Sequence, residues 1–185
     1  MPHIHTENGH HDHTVSAYII KWDPNNLNEQ PKLLVHMHKK FNKLLQPGGH
    51  IELNENPWEA IKHELVEETG YDISQLEIIQ PRHLAFGLNK TNMVLHPTPF
   101  VYNTHPTDPE GTHYHTDVTF LFLTTEEPHG EPGEGETTDL RWLTLDQIRE
   151  DSESLLGSGV KAISEVAFEI LQDKNWLAYP TSDFK

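Results

Sequence analysis

Three glutamates, Glu64, Glu67 and Glu68, stand at positions i, i+3 and i+4 within the stretch Gly49 to Tyr71. In a helix this spacing places all three carboxylates on one face. Like charges at that spacing repel each other unless a cation compensates them. Hard, oxygen-preferring Mg²⁺ or Mn²⁺ suits such a cluster and leaves coordination positions for water and phosphate. Considered alone, three glutamates are more typical of a solvated acidic helix face.

The surrounding residues predict the helix that would position these carboxylates. Asn56 is a good N-cap, Pro57 suits the first helical position, and Glu59 can close a capping box. Gly70 is placed to end the helix. The apolar side chains expected to anchor the helix to a core are Trp58, Ile61, Leu65 and Val66.

The complete pattern resembles the Nudix box, written Gly, five residues, Glu, seven residues, Arg-Glu, aliphatic, any, Glu-Glu, any, Gly, aliphatic. The matching residues are Gly49, Glu55, Glu64, Leu65, Glu67, Glu68 and Gly70, preceded by Pro47, Gly48 and Glu52. Two positions depart from it, because His63 stands where the family has Arg and Tyr71 where an aliphatic residue is usual.

The resemblance implies a metal-dependent hydrolase that cleaves the diphosphate bond of a nucleoside diphosphate linked to another group. Glu64 and Glu68 would hold Mg²⁺ or Mn²⁺, with Glu67 bound directly or through water. The general base would be a glutamate of the box, such as Glu64 or Glu67, or Glu136 from the loop before a late tryptophan strand. Glu134 is the second choice in that loop.

His63 is the main departure from the family pattern. The family's Arg is thought to orient the glutamates through bidentate contacts, which an imidazole cannot copy. His63 can still meet Glu59 or Glu67, each four residues away along the helix. We therefore expect activity to survive with an altered pH profile. The same change also permits a catalytically silent Nudix module that binds a nucleotide or a partner.

Element order and resemblance together predict an α/β fold, a Nudix-type α/β/α sandwich with a mixed β-sheet. The strands Val15 to Trp22 and Lys32 to His38 read as a hairpin, and Leu140 to Leu143 as a late strand. Val160 to Gln172 reads as a final amphipathic helix. The segment from Asn89 to Thr116 reads as a long loop. Residues 13–185 would form one domain.

Residues 1–12 would be a His-rich tail, solvated or partly ordered. A transition-metal-binding protein built on these histidines is a further alternative for the function of the chain. It predicts Zn²⁺ or Ni²⁺ binding that is lost when residues 1–12 are deleted. The irregular spacing and the lack of cysteine favour a simple tail.

Other candidate residues would contact substrate. Lys39, Lys40 and Lys43 precede the box, and one or more of them, with Lys40 and Lys43 preferred, could meet phosphate as a point charge; the three could equally form a basic loop tip. His113, His115 and Asp117 alternate along a strand and should share one face. They could form a metal site, a hydrogen-bonding wall for a sugar or base, or the polar face of a half-buried strand. A further resemblance, to a bacterial MutT-like subgroup of the family without an assigned substrate, implies that the residues near the site include His38, Lys40, His50, His105, His115 and Asp117.

Composition narrows the class of partner. The 185 residues carry 29 Asp and Glu against 13 Lys and Arg, for a formal charge of −16, which argues against a nucleic acid polymer or an anionic membrane as partner. The chain has no cysteine, and no apolar run is long enough to span a bilayer. We expect a cytoplasmic enzyme acting on a small nucleoside diphosphate derivative. A homodimer is one assembly state that the sequence leaves open.

Overall fold

The computed structural model describes residues 7–26, 28–82, 94–152 and 154–184, which form a mixed sheet of nine strands with helices on both faces. The strands are β1 (His10–Lys21), β2 (Lys32–His38), β3 (Lys43–Leu45), β4 (Gly48–His50), β5 (Glu77–Pro81), β6 (Val101–Pro106), β7 (His113–Thr124), β8 (Leu140–Thr144) and β9 (Trp176–Pro180). The helices are α1 (Pro57–Thr69), α2 (Leu145–Glu150) and α3 (Ser158–Ile170). None of them is long and apolar enough to cross a membrane.

The sheet is built around β1 and β7, which run parallel from the pair His10 and His113 to the pair Lys21 and Thr124. The path through the sheet is β3-β2-β1-β7-β5-β9, while β4 pairs with β1, β6 with β7, and β8 with β2. The predicted hairpin is confirmed, since Ile20 of β1 lies opposite Leu33 of β2 in an antiparallel register. Parallel pairing thus brings two segments together that are about a hundred residues apart in the chain.

Helix α1 begins and ends as its sequence predicts. The Asn56 side chain accepts hydrogen bonds from the backbone N–H groups of Trp58 and Glu59, and the Glu59 carboxylate accepts one from Asn56 N–H. This is a complete capping box, with Pro57 in the first turn. Gly70 ends the helix in the left-handed conformation at φ 74°.

Two apolar cores lie on opposite faces of the sheet, which confirms the predicted sandwich. On one face, Trp58, Ile61 and Leu65 of α1 are fully buried, in a cluster with alternate side chains of β1. On the other face, α3 packs through side chains such as Val160 and Phe168. Because side chains alternate along a strand, each face of β1 serves a different core.

Several predicted boundaries differ in the structure. Strand β1 starts at His10, inside the range predicted as a tail, because its first residues pair with β7. Within the predicted loop, residues 89–93 lie outside the described residues, and β6 occupies Val101–Pro106. Most side chains of β6 are exposed, so its sequence lacks the apolar pattern that would predict a strand. Val66 is 51% exposed and is not part of the core, since it faces away from the sheet.

Candidate active site

The two glycines of β4, Gly48 and Gly49, lie in close contact with β1 and with the Glu64 side chain of α1. A Cβ atom at Gly49 would lie 2.1 Å from Oε1 of Glu64, and one at Gly48 would lie 2.1 Å from the carbonyl oxygen of Val15. The Gly48 N–H donates a hydrogen bond of 2.7 Å to Oε2 of Glu68. The two glycines therefore place backbone directly against two carboxylates of the helix.

Glu64 and Glu68 lie in an environment that disfavours their charge. Burial, followed by the neighbouring Glu67 carboxylate, raises the pKa of Glu64 to about 7. Burial raises the pKa of Glu68 to about 8, against the hydrogen bond from Gly48, and the carboxylates of Glu64, Glu136 and Glu67 add to the rise. Buried like charges of this kind are stable at neutral pH when they take up protons or a cation.

The ring of His36 lies near Glu68 but does not balance its negative charge. Nε2 of His36 lies 3.9 Å from Oε2 of Glu68. Burial, with His38 contributing, lowers the pKa of His36 to about 4, so its imidazole is neutral at physiological pH. Burial likewise lowers the pKa of His38. His36 is 2% exposed.

Glu67 and His63 occupy the more open side of the cluster. Nε2 of His63 lies 3.1 Å from Glu67 Oε1, and its Nδ1 lies 3.4 Å from Glu55 Oε1. Although partial burial acts to lower the pKa of His63, the carboxylates of Glu67 and Glu55 raise it above its ordinary value. His63 thus bridges two glutamates, one of which, Glu67, is among the contacts predicted for it.

The acidic loop before β8, residues 126–136, is fixed to the end of α1. The N–H groups of Gly130 and Gly133 donate to the carbonyl oxygens of Gly70 and Glu67, at 3.0 and 2.7 Å. A Cβ atom at Gly70 would lie 2.3 Å from the Gly130 carbonyl oxygen. These contacts satisfy carbonyls that the last turn of a helix leaves unpaired. The composition of the loop predicts a flexible connector, whereas glycine packing anchors it.

Glu136 lies at the end of this loop, close enough to the helix glutamates for its charge to act on them. Its carboxylate adds to the rise in the pKa of both Glu64 and Glu68. Lys39 Nζ donates to the carbonyl oxygens of Gly135 and Glu136, and the second of these bonds measures 2.8 Å. Lys39 therefore holds the backbone beside Glu136, a role that the sequence did not assign to it.

The two lysines predicted to contact phosphate have other neighbours. Lys43 Nζ donates to the carbonyl oxygen of Ser154. Lys40 Nζ lies 5.5 Å from the centroid of the Phe41 ring, in a cation–π arrangement. Neither of these contacts involves a glutamate of the box, so phosphate binding by Lys40 or Lys43 stays a prediction.

Three other residues predicted to bind substrate lie on the sheet face opposite α1. His50 follows Gly49 along β4, and strand alternation turns its side chain away from Glu64. Its ring packs edge-on against His115, with centroids 5.0 Å apart. Nε2 of His50 lies 3.5 Å from Oδ2 of Asp12, a fully buried residue in the range predicted as a tail.

Asp117 lies on the same face but is enclosed by hydroxyl groups. Its Oδ1 accepts hydrogen bonds from Thr14 and Ser16 at 2.7 and 3.0 Å, and its Oδ2 accepts one from Thr119 at 2.7 Å. Asp117 is 5% exposed, and these bonds tie β7 to β1. The contacts favour a structural role, and substrate binding by Asp117 stays a prediction.

A cleft of about 360 Å³ opens on the α1 side, beside the first turn of the helix. Its lining includes His13, Ile51, Glu52, Tyr102 and Val118. Tyr102 is 65% exposed and presents a ring to solvent. A mainly apolar lining with a few polar groups beside it is typical of a small-molecule binding site.

The chain matches the NUDIX domain over residues 12–160. Among solved structures, a hydrolase of the NUDIX family from Clostridium perfringens is 27% identical, with a TM-score of 0.69 over 87% of this chain and 98% of that one. An Ap4A hydrolase from C. elegans is 14% identical, with a TM-score of 0.57 over 88% and 98% of the two chains. No protein with a curated description matches the sequence.

A third structure is the NUDIX domain of Shewanella oneidensis NrtR, complexed with ADP ribose. It is 17% identical, with a TM-score of 0.59 over 88% of this chain and 90% of that one. At this identity, as for the Ap4A hydrolase, the similarity concerns the fold. The box residues, their clustered carboxylates and the match over residues 12–160 lead to one conclusion, that the chain belongs to the NUDIX domain family.

Proposed function

We propose that this protein is a divalent-metal-dependent hydrolase of the diphosphate bond in a nucleoside diphosphate linked to another group. The observation that carries the proposal is the pair of carboxylates formed by Glu64, which is buried, and Glu68, whose side chain is 12% exposed; their pKa values are raised to about 7 and about 8. A folded protein keeps such repelling carboxylates at a cost, which a bound divalent cation removes. Family membership supplies the reaction class.

The donor set fits Mg²⁺ or Mn²⁺. Carboxylate oxygens are hard ligands, and Glu64, Glu67 and Glu68 project from one side of α1. When bound, such a cation neutralises phosphate charge and lowers the pKa of an attacking water. The Gly48 N–H orients Glu68 through its hydrogen bond to Oε2. The second carboxylate oxygen of Glu68, Oε1, is the atom that would bind the cation.

Glu136 or a glutamate of the box would accept the proton of the attacking water. The backbone of Glu136 is held in place by Lys39, and the charge of its carboxylate acts on Glu68. Glu67 is paired with His63, an arrangement that keeps it oriented on the open side of the site. Phosphoryl transfer requires mainly positioning and charge stabilisation, which these residues can provide.

The substrate class is the less specific part of the proposal. One relative of similar fold is an Ap4A hydrolase, and another binds ADP ribose. Both ligands contain a nucleotide joined to another group through phosphates. A small molecule of this class would also fit the strongly acidic chain better than a nucleic acid polymer does.

A screen of nucleoside diphosphate conjugates with Mg²⁺ and with Mn²⁺ tests the proposal. We expect turnover of at least one conjugate, and a loss of about 100-fold or more in kcat/KM for Glu68→Gln, since the metal contributes several kcal/mol. Glu169→Gln on the exposed surface of α3 is the matched control and should retain full activity. Equal activity of both variants would rule out the proposed metal site.

The second candidate is a silent module that binds a nucleotide without turnover. It is favoured by His63, which stands at the family's Arg position and pairs with glutamates through single contacts. Calorimetry with the same conjugates distinguishes the two candidates. Binding with no turnover, even with Mn²⁺, would favour the silent module over the enzyme.

A further inference from the structure

A second group of potential metal ligands lies on the sheet face opposite the box glutamates. One ligand atom each from Asp12, His50 and His115 converge so that all three lie within 4.8 Å of one another. They come from β1, β4 and β7, which are adjacent in the sheet. Asp12 pairs directly with His115 in the parallel register, and His50 lies opposite Thr14, two residues further along β1.

His113 adds a fourth ligand atom, a third imidazole nitrogen, to this group. Its Nε2 lies 3.1 Å from Oδ2 of Asp12, and Nε2 of His50 lies 3.5 Å from the same oxygen. Around a tetrahedral Zn²⁺ with ligand distances of about 2.0 to 2.1 Å, neighbouring ligand atoms are about 3.3 Å apart. The His50 distance is long for an N–H···O hydrogen bond, whereas both distances fit the edges of such a tetrahedron.

Burial and charge also suit a cation at this place. The Asp12 side chain has no exposed surface, and the side chains of His50 and His113 are 11% and 12% exposed. A buried carboxylate requires a compensating partner, and a divalent cation would serve the carboxylate and the imidazoles together. Three imidazoles and one carboxylate prefer Zn²⁺ to Mg²⁺ or Ca²⁺.

We propose that Asp12, His50 and His115, with His113 as the fourth donor, form a Zn²⁺ site separate from the carboxylate cluster of α1. The site joins β4 to β1 and β7, and so fixes the turn that carries Gly48 and Gly49 against the helix. The site uses the first residues of β1 and none of residues 1–6. Removing residues 2–6 should therefore leave this site intact, whereas the same truncation would abolish a metal site in the N-terminal tail.

Zn²⁺ binding to the metal-stripped, untagged protein tests this site by isothermal calorimetry. We expect one equivalent of Zn²⁺ to bind and to raise Tm, because the ion binds only the folded chain. Asp12→Asn and His115→Gln should each weaken Zn²⁺ binding at least about 10-fold, since each removes one ligand. Removing residues 2–6 should leave the affinity unchanged.

His129→Gln is the matched control, because His129 forms an exposed pair with Glu126 at 3.3 Å and lies outside the cluster. Glu68→Gln should also retain Zn²⁺ binding, which separates this site from the box. X-ray absorption at the zinc edge should give nitrogen and oxygen ligands at about 2.0 to 2.1 Å.

If Asp12→Asn fails to fold by circular dichroism, His50→Gln replaces it, because this residue is less buried. The proposal is overturned if no Zn²⁺ binds. It is also overturned if the cluster variants bind Zn²⁺ as wild type does, or if only removal of residues 2–6 abolishes binding. In any of these cases the cluster is a hydrogen-bonded polar face.

Discussion

Glu68 combines contacts that surface glutamates do not make. One oxygen accepts a backbone hydrogen bond from Gly48, the neutral ring of His36 lies 3.9 Å away, and three other carboxylates act on it. Burial of this charge is the feature that separates a metal-binding helix from a solvated acidic one. At the residue scale, the chemistry of the site depends on which group, a hydrogen-bond donor, a proton or a cation, offsets the negative charge of each carboxylate.

The variant His63→Arg tests whether the positive charge of His63 balances the negative charges of Glu67 and Glu55 on the open side of the site. The pKa of His63 is raised, so its imidazolium persists beyond its ordinary range and is lost as pH rises through the folded value. Arg stays charged throughout. We expect the ratio of wild-type to variant kcat/KM to be constant at acid pH and to fall as His63 deprotonates. Identical pH profiles between about pH 5.5 and 9 would contradict this role.

At the scale of elements, the C-terminal end of α1 and the acidic loop form one unit. Gly130 and Gly133 donate to α1 carbonyls, and the Tyr71 hydroxyl donates to the Glu126 carbonyl oxygen at 2.6 Å. Tyr71 is fully buried, so the departure from an aliphatic residue provides an extra bond to this loop. The unit sets the distance between Glu136 and the helix glutamates.

Gly70→Ala should disrupt this unit. The left-handed conformation strains any side chain, and the new Cβ would also clash with the Gly130 carbonyl, so we expect a loss of about 2 to 4 kcal/mol in urea unfolding. Gly9→Ala is the matched control, because Gly9 also has a positive φ but a Cβ added there would meet no atom within 4 Å. We expect it to cost about 1 kcal/mol. Equal losses would show that the loop contact contributes nothing.

At the scale of the whole molecule, the two faces of the sheet carry different chemistry. The α1 face presents carboxylates, and the opposite face presents Asp12 with histidines of β4 and β7. Strand alternation is the cause, since neighbouring residues such as Gly49 and His50 project to opposite faces. The formal charge of −16 adds to the cost of keeping carboxylates buried without a cation.

The metal-free protein should therefore lose stability as pH rises through the neutral range. Raised carboxyl pKa values mean that the folded state binds more protons than the unfolded state between about pH 4.5 and the folded values of about 7 and about 8. This contribution is complete below about pH 4.5 and is lost as pH rises through the folded values.

We expect Tm in EDTA to fall between about pH 6.5 and 8.5, above the range in which the lowered pKa of His36 acts in the opposite direction, and Mn²⁺ to restore it most at the upper end, because the metal replaces the protons. Differential scanning calorimetry of wild type and Glu68→Gln measures the effect, which should be smaller in the variant. A wild-type Tm that is constant or rises over this range would contradict the burial of these charges.

Much of the fold could be predicted from local patterns. The caps of α1 depend on hydrogen bonds within a few residues, and the apolar runs of β1 and β2 indicate buried strands. Strand β6 could not be found this way, because it is half-exposed and derives its structure from pairing with β7. The start of β1 was missed for the same reason, since its polar residues are buried only by distant segments.

By itself, the sequence determined the box helix, its caps and the spacing of its glutamates, because these follow from contacts within a few residues along the chain. Only the tertiary structure decided which face each strand residue occupies and which charges are buried. It turned His50, His115 and Asp117 away from the box and brought the two histidines together with Asp12, since the parallel register of β1 and β7 links residues about a hundred positions apart. Register and burial are properties of the whole sheet, and no local pattern specifies them.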